Sequence, residues 1–421
     1  MPMKTFSQLH ISLRIRMYLQ FVTSLTSSAI IPYISVYFSS LIGTTVTGVI
    51  VIIVILSGIV GALIGGYLAD RIGRRKMMII AEAGIGITYL FIAVFNSPRI
   101  NLPYISAGLF MINLFFNGMF FPASTAMIHD LVLAEQRKFV FTAMYWLANL
   151  ATALGTLTGA FSFIDYHFYF FLSVGIVSLG SSLVTYLFIK ESLMKNKFLR
   201  SDNKSKFTIW SNYLHVWKDR TFMIYLLSCF LIFSLESHLT NYIAIHLRDT
   251  MQDTNLFGIL PVNGINMVGI LHAENTILVV FCVGIVTWMM KKISDNKQYF
   301  IGMCLFVVSY CILTYISSPL WLIMMMLFIS IGELMYVPIN QSILADLVNE
   351  NYRSSYLALN GLIGQGQMIV AGLAITISTQ ISALTMSLGL FSFGILGLLL
   401  MGYVVKKETN SKKQMNITQT V

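Results

Sequence analysis

Charge is what this sequence has least of. Only 10% of its 421 residues are Asp, Glu, Lys or Arg, whereas 57% are hydrophobic. Soluble domains carry roughly 25% charged residues, so a water-soluble fold is excluded. Cysteine is scarce as well: Cys229, Cys282, Cys304 and Cys311 lie in apolar stretches without metal-ligand spacing. Neither a disulfide framework nor a metal site is therefore expected. The chain also contains no P-loop, so ATP does not drive it directly.

Long apolar runs are what the chain has in abundance. A helix that crosses a membrane needs about 20 apolar residues, and its backbone groups must bond within the segment. The sequence predicts twelve such spans, numbered 1 to 12 along the chain. Their expected bounds are 17–38, 46–69, 77–95, 104–128, 139–162, 168–189, 221–245, 273–290, 299–317, 319–344, 355–378 and 383–405.

The distribution of basic residues predicts the orientation. The net charge is +10, with 27 Lys and Arg in all. If the N-terminus is cytoplasmic, Arg99 and Arg248 alone face outward, and the remaining 27 − 2 = 25 face inward. Both termini are therefore expected in the cytoplasm. The basic balance reflects topology, so no nucleic-acid partner is expected.

The two halves of the chain resemble each other. "PASTAMIHDLVLAEQR" begins at Pro122 and "PINQSILADLVNENYR" at Pro338, and both contain Asp-Leu-Val followed four residues later by Arg. Between the halves, residues 191–220 are polar and basic. We therefore predict a six-helix bundle at 1–190, a cytoplasmic linker at 191–220, and a second six-helix bundle with a tail at 221–421. The fold class is all-α, with two pseudo-symmetric bundles.

The segment "GGYLADRIGRRK", between spans 2 and 3, carries the most specific motif. It resembles the loop signature of the major facilitator superfamily, through the positions Gly66, Leu68, Ala69, Asp70, Arg71, Gly73, Arg74 and Arg75. The resemblance implies twelve helices, alternating access, and a turn that holds the cytoplasmic side closed. A basic stop signal that only sets topology is the alternative, but it does not explain Asp70 or the glycines.

The repeat extends this latch to the ends of spans 4 and 10. Asp130 with Arg137 and Asp346 with Arg353 are the expected latch elements there. Gly66 is expected to permit a close helix approach and Gly73 a tight turn. The matching turn of the second half, "WMMKKISDNKQ", lacks the glycines, so the latch is expected to be asymmetric.

Four glutamates fall within predicted spans and are candidates for proton coupling. Ionisable groups at membrane depth are costly and usually functional, and desolvation disfavours the charged form of a carboxyl. Glu333 and Glu236 are the first two candidates. Glu82 could instead reach toward Lys76, and Glu274 could face water at the outer end of span 8. No Lys or Arg is expected in the deep part of any span.

Spans 5, 7 and 10 resemble a narrower group, the LmrP-type drug:proton antiporters. "GELMYVPINQSILADL" carries that resemblance and implies a coupling role for Glu333. Two positions depart from the group, since Met144 and Thr240 stand where it has carboxylates. Glu236, four residues before Thr240, would lie on the same helix face and could substitute.

The substrate cavity is expected to combine aromatic and amide side chains, which suit a lipophilic cation beside a carboxylate. The candidates are Tyr145, Trp146, Asn149, Asn117, Asn340, Gln341 and Gln365.

The sequence as a whole predicts a secondary antiporter that exports lipophilic cations in exchange for protons. It would need no cofactor, act as a monomer in a bacterial cytoplasmic membrane, and have the substrate, protons and lipid as its partners. Proton-coupled transport of one metabolite or lipid on the same fold stays open. A membrane-embedded enzyme is less consistent, because His129 beside Asp130 is the one adjacent acid–base pair.

Overall fold

We describe a computed structural model of the chain. It describes residues 6, 8–133, 136–192, 214–349 and 353–419. For residues 70, 137–138, 287, 353–355, 358 and 408–419 it describes the backbone alone. The sequence-based predictions for Ala134, Glu135 and most of the linker therefore lie outside the described residues.

The described chain is almost entirely helical. Two short antiparallel hairpins interrupt it: β1 (Asn96–Ser97) with β2 (Ile100–Asn101), and β3 (Thr254–Leu256) with β4 (Leu260–Val262). The helices are Ile11–Ser28 and Ile34–Ile42 (span 1), Thr44–Ile72 (span 2), Arg74–Phe95 (span 3), Pro103–Leu131 (span 4), Arg137–Phe188 (spans 5 and 6), Arg220–Phe233 and Tyr242–Thr250 (span 7), Gly264–Met290 (span 8), Asp295–Leu313 (span 9), Pro319–Leu347 (span 10), Arg353–Ile377 (span 11) and Ala383–Gln419 (span 12).

The predicted number of membrane crossings is confirmed. Within the described residues, eleven helices are long and apolar enough to cross a membrane. One of them, Phe139–Phe188, has 50 residues, about twice the length one crossing requires. Its backbone leaves helical geometry at Tyr166 (φ −119°, ψ 24°), between the predicted spans 5 and 6. The chain is thus a multi-pass membrane protein, with twelve spans in the part that the structure describes.

The predicted starts of spans 1 and 8 were wrong, and each error misplaced a charged residue relative to the end of its helix. Span 1 begins at Ile11, because the His10 ring accepts a hydrogen bond from the Ser12 amide (3.2 Å) and caps the helix. This extension brings Arg16 inside the helix. Span 8 begins at Gly264 rather than at 273, so Glu274 lies about three turns inside it instead of near its end.

Contacts divide the chain into two compact units. The first unit comprises Met1–Lys195, Thr240–Ile277 and Ile375–Thr379, and the second comprises Asn196–Leu239, Leu278–Ala374 and Gln380–Val421. Spans 7, 8 and 11 therefore contribute to both units. The sequence-based division at residues 191–220 stays a prediction.

In the first unit, Thr240–Ile277 packs against spans 1 and 5 at the end that carries both hairpins. The Arg248 guanidinium donates to the Val36 carbonyl (3.2 Å) and to Ser39 Oγ (2.6 Å). Ser35 Oγ donates to Asn241 Oδ1 (2.8 Å). Hydrogen bonds between helices substitute for water in this apolar setting, so they fix this end of the unit. We call it the hairpin end, and the opposite end the motif end.

Spans 2 and 4 pack closely in the first unit. A Cβ at Gly65 would overlap the backbone of Met119, whereas one at Gly66 would lie 3.9 Å from Pro122 Cβ, an ordinary contact. The close helix approach predicted at Gly66 is therefore found at Gly65 instead. At the motif end the core consists of Ala69, Met77, Met78, Ala81, Met119, Ala123, Met127 and Ile189.

Candidate functional site

Two carboxyl groups of the second unit lie close enough to interact electrostatically. Glu236 begins a one-turn 3-10 helix in span 7, and Glu333 lies in the middle of span 10. The sequence has no Lys or Arg between Arg220 and Arg248, nor between Lys297 and Arg353. The structure thus brings together the first two candidates for proton coupling. Two carboxylates that interact repel each other when both are charged. The pair is therefore suited to share a proton or a cation.

The interruption of span 7 positions Glu236. The α-helix ends at Phe233 and resumes at Tyr242, with the 3-10 turn Glu236–His238 between. Ser237 Oγ donates to the Ser234 carbonyl (2.7 Å) and to the Gln367 carbonyl of span 11 (3.0 Å). These bonds use carbonyl groups that a continuous helix would satisfy itself. As a result, the Glu236 side chain is exposed, whereas His238 is fully buried.

One sequence argument about span 7 was wrong for this reason. It placed Glu236 on the same helix face as Thr240, four residues later. No α-helix joins the two positions, because the segment between them is a 3-10 turn followed by irregular chain. Four-residue spacing aligns side chains only in an α-helix, so the spacing does not place Glu236 and Thr240 on one face, and the substitution of one for the other stays a prediction.

Aromatic side chains surround the acid pair. Both carboxyls act electrostatically on Tyr310 and Tyr336. Phe306 packs edge-on against each tyrosine, with ring centroids 4.8 Å and 5.3 Å apart. Phe233 stacks on Tyr336 at 5.5 Å. Aromatic faces beside carboxylates suit a cation better than an anion.

The amide candidates of the second unit have different surroundings. Asn340 Oδ1 accepts from Tyr299 Oη (2.9 Å) and from Cys229 Sγ (3.8 Å), so it ties spans 7, 9 and 10 together. Gln341 is exposed and Gln365 half-buried. Asn340 is therefore engaged in helix packing, and the two glutamines are the more accessible candidates.

The cavity candidates of the first unit lie on spans 4 and 5. Tyr145 and Trp146 are about half exposed, and Asn149 donates to the Tyr145 carbonyl (2.8 Å). Asn117 donates to Asn113 Oδ1 (2.9 Å). It also lines a cavity of about 320 Å³ that Met144 reaches as well. These aromatic and amide groups are accessible, as a substrate-contacting role requires.

The remaining glutamates occupy different settings in the first unit. Glu274 is partly buried, and its Oε2 has no hydrogen-bond partner among the described residues. Glu82 is buried and forms an ion pair with Arg16 (2.9 Å). Glu82 therefore contacts Arg16 and not Lys76, the alternative partner that the sequence offered. Arg16 lies in the second turn of span 1, near the N-terminal end of the helix. Burial of Arg16 is tolerable because a carboxylate neutralises it.

The turn between spans 2 and 3 is held by its own unit. Gly73 has φ +105°, a conformation that strains any other residue. Glu191, at the end of span 6, accepts from the backbone amides of Arg74 (3.0 Å) and Arg75 (3.2 Å). It therefore caps the N-terminus of span 3, where a negative charge is favoured.

Arginines complete this turn. Arg74 forms an ion pair with Asp130 of span 4 (3.0 Å), and Arg75 donates to the carbonyls of Thr185 and Tyr186 on span 6. Arg71 lies over the Tyr67 ring at 4.7 Å. The side chains of Asp70, Arg137 and Arg353 lie outside what the structure describes, and Asp346 is exposed. Asp130 and Arg74 are thus joined, and the partners predicted for Asp130 and Asp346 stay predictions.

Removing the Glu191 cap is expected to loosen this turn. Glu191→Ala should lower the free energy of unfolding by about 1 kcal/mol, the usual value of a helix cap. Glu191→Gln should cost less, because its amide oxygen still accepts one bond. Thermal unfolding of the purified protein measures both. Equal stability of wild type and Glu191→Ala would show that the cap contributes nothing.

A bundle of twelve apolar helices with acids at membrane depth defines a class of protein, the multi-pass membrane transporter. The chain belongs to the Major Facilitator Superfamily, whose family model matches residues 17–372. It is 29% identical over 364 residues to a Na(+), Li(+), K(+)/H(+) antiporter of Planococcus maritimus, covering 83% of this chain and 85% of that protein. A shorter match, 24% identical over 143 residues, is to the uncharacterized MFS-type transporter YqjV of Bacillus subtilis (strain 168), covering 32% of this chain and 33% of that one.

Solved structures confirm the fold. A POT family transporter in complex with 5-aminolevulinic acid superposes with a TM-score of 0.72 at 14% identity, covering 96% of this chain and 100% of that one. The nucleoside transporter NupG has a TM-score of 0.71 at 11% identity, covering 93% of this chain and 99% of that one. The predicted superfamily and fold are therefore confirmed, and the chain is a transporter of small molecules rather than an enzyme.

Sequence reasoning missed Arg16 and Glu191. Arg16 was placed before the first span, and Glu191 was counted as linker. Neither has a local signal, because each partner lies far away in the sequence: Glu82 is 66 residues from Arg16, and Glu191 is 117 residues from Arg74.

Proposed function

We propose that this transporter exports lipophilic cations in exchange for protons. The observation that carries the proposal is the acid pair Glu236–Glu333 beside the aromatic side chains of Tyr310 and Tyr336. A cation and a proton are alternative ways to relieve the repulsion between the two carboxylates. Competition for one site is the simplest basis of exchange, because binding of one ligand displaces the other.

The proposed direction of transport follows from the proton gradient across the membrane. With both termini in the cytoplasm of a bacterium, the acid pair binds the cation when it is open to the near-neutral interior. Exposure to a more acidic exterior then protonates the pair and releases the cation. The hairpin-end contacts of Arg248 join span 7 to span 1, so they are the interactions that alternation of the two predicted bundles would make and break. One polypeptide contains both units, so a monomer suffices.

A second candidate is exchange of alkali cations for protons. The relative from Planococcus maritimus, a Na(+), Li(+), K(+)/H(+) antiporter, favours it. Carboxylate oxygens bind such hard cations as readily as they bind organic ones. The same acid pair would serve, so the two candidates differ in the cation and not in the coupling residues.

Everted membrane vesicles with an acidic lumen distinguish the two. Accumulation of ethidium that collapses with the pH gradient supports export of lipophilic cations. Release of luminal protons on addition of Na⁺, Li⁺ or K⁺, without ethidium accumulation, supports the alkali-cation candidate. Asp253→Asn, which removes an exposed acid outside the pair, is the matched control. Failure of both assays with folded protein in the vesicles contradicts proton-coupled cation export.

A further inference from the structure

Glu82 lies at the centre of an oxygen-rich cluster that four spans of the first unit build. Glu82 Oε1 accepts from Arg16 Nη1 (2.9 Å) and Ser181 Oγ (2.7 Å), and Oε2 accepts from Thr185 Oγ1 (2.9 Å). Ser124 Oγ accepts from Arg16 Nη2 (3.2 Å). One carboxylate and three hydroxyl groups thus lie together, and Arg16 contacts two of their oxygens, Glu82 Oε1 and Ser124 Oγ. Such hard oxygen ligands are those that alkali and alkaline-earth ions prefer.

Arg16 occupies this cluster incompletely. Its side chain is only 3% exposed, yet its Nε–H has no acceptor among the described residues. The guanidinium lies over the Phe120 ring at 4.9 Å. Buried donors are normally satisfied, so the planar guanidinium uses part of its hydrogen-bonding capacity and leaves the rest. The oxygen cluster therefore neutralises the charge of Arg16 but does not accept hydrogen bonds from all of its donors.

We propose that this cluster is a binding site for a small alkali cation, Na⁺ or Li⁺, and that Arg16 occupies it as a tethered cation in the conformation described here. One carboxylate neutralises one positive charge, which favours a monovalent ion. Calcium would require more carboxylates, and Mg²⁺ would keep most of its water. The ion and the guanidinium compete for Glu82 Oε1 and Ser124 Oγ, so the ion binds when Arg16 withdraws.

A cavity gives the cluster a route for the ion. Arg16 and Glu82 both line the space of about 320 Å³ in the first unit. Its other polar lining residues carry hydroxyl or amide groups: Gln20, Thr23, Ser24, Ser27, Asn117, Ser124, Thr125 and Ser178. At about 30 Å³ per molecule, a cavity of this size has room for roughly ten waters. A hydrated ion can therefore reach Glu82, and the long Arg16 side chain has polar space to enter.

The site is separate from the acid pair. Its oxygen ligands lie on spans 3, 4 and 6 and Arg16 on span 1, all in the first unit, whereas Glu236 and Glu333 lie in the second unit. The proposal therefore holds whether or not the acid pair couples protons to export.

Removing the tethered cation exposes the site to free ions. In purified Arg16→Gln, 100 mM NaCl or LiCl is expected to raise the thermal unfolding midpoint by about 2–4 °C relative to choline chloride of equal ionic strength. Wild type should show no such difference, because Arg16 already fills the cluster. Arg14→Gln is the matched control, since it removes a neighbouring arginine of the same helix. Arg16→Gln/Glu82→Gln should lose the response along with the carboxylate.

Equal midpoints of Arg16→Gln in Na⁺ and choline would overturn the proposal, as would a response that persists without Glu82. Labelling in membranes covers the case in which Arg16→Gln does not survive purification. A hydrophobic carbodiimide should modify Glu82 in this variant, and Na⁺ should reduce the modification at least about threefold, as read by mass spectrometry of the peptide. Modification that Na⁺ leaves unchanged also contradicts a cation site.

Discussion

Glu333→Gln is expected to abolish proton-driven accumulation of a lipophilic cation while leaving its energy-independent exchange intact. A gradient of two pH units supplies about 2.7 kcal/mol per proton, enough for roughly 100-fold accumulation. Glutamine retains the size and hydrogen-bonding capacity of the side chain but cannot take up a proton. The variant should therefore fall from up to about 100-fold accumulation to simple equilibration across the membrane.

A counterflow assay distinguishes the loss of proton coupling from the loss of substrate binding. Vesicles loaded with unlabelled substrate and given no pH gradient exchange it for labelled substrate without moving protons. Glu333→Gln should retain this exchange, and Glu236→Gln should weaken accumulation through the same pair. Accumulation by Glu333→Gln at the wild-type level would show that coupling lies elsewhere, with Glu274 as the next residue to neutralise.

The fold was predictable because membrane insertion is a local property. Each span needs a run of about 20 apolar residues, and that requirement can be checked within the segment itself. The resemblance carried by Gly66–Arg75 then fixed the superfamily. Span 8 begins nine residues before its predicted start and includes the largely apolar segment "GINMVGILH". The boundary of span 1 failed because the helix continues past the apolar run into residues such as Arg16. Hydropathy cannot include such residues, because what makes their burial tolerable is a partner on another span.

The residues of the site were predictable only in part, because their arrangement also depends on contacts between distant spans. Glu236 and Glu333 could be selected one at a time, because a carboxyl within an apolar run is conspicuous. Their proximity and the aromatic surroundings of Tyr310 and Tyr336 depend on how spans 7, 9 and 10 pack. The interruption of span 7 was missed since helical periodicity was assumed through "SLESHLTN". Ser237 stabilises that interruption through span 11, a contact the sequence does not reveal.

Breaking the buried Arg16–Glu82 ion pair should have the largest effect on stability. Arg16→Met leaves a buried carboxylate, and Glu82→Gln leaves a buried guanidinium. Each should lower the free energy of unfolding by about 3–5 kcal/mol, because an uncompensated charge then stays in an apolar interior. The side chains of Arg16 and Glu82 are only 3% and 5% exposed, so solvent screens little of this cost.

The double variant Arg16→Met/Glu82→Gln tests whether the loss of stability comes from an uncompensated charge. It removes both ions, so it should be more stable than either single variant, although it has lost more hydrogen bonds than either. Reversible unfolding in mixed detergent micelles would measure the four proteins under choline, so that no small cation fills the cluster. Simple addition of the two single effects would mean that packing around Phe120 and Ser181, and not the ion pair, holds spans 1, 3 and 6 together. Recovery in the double variant would instead show that span 1 is held at its N-terminal end by charge neutralisation, the condition under which a mobile cation could take the place of Arg16.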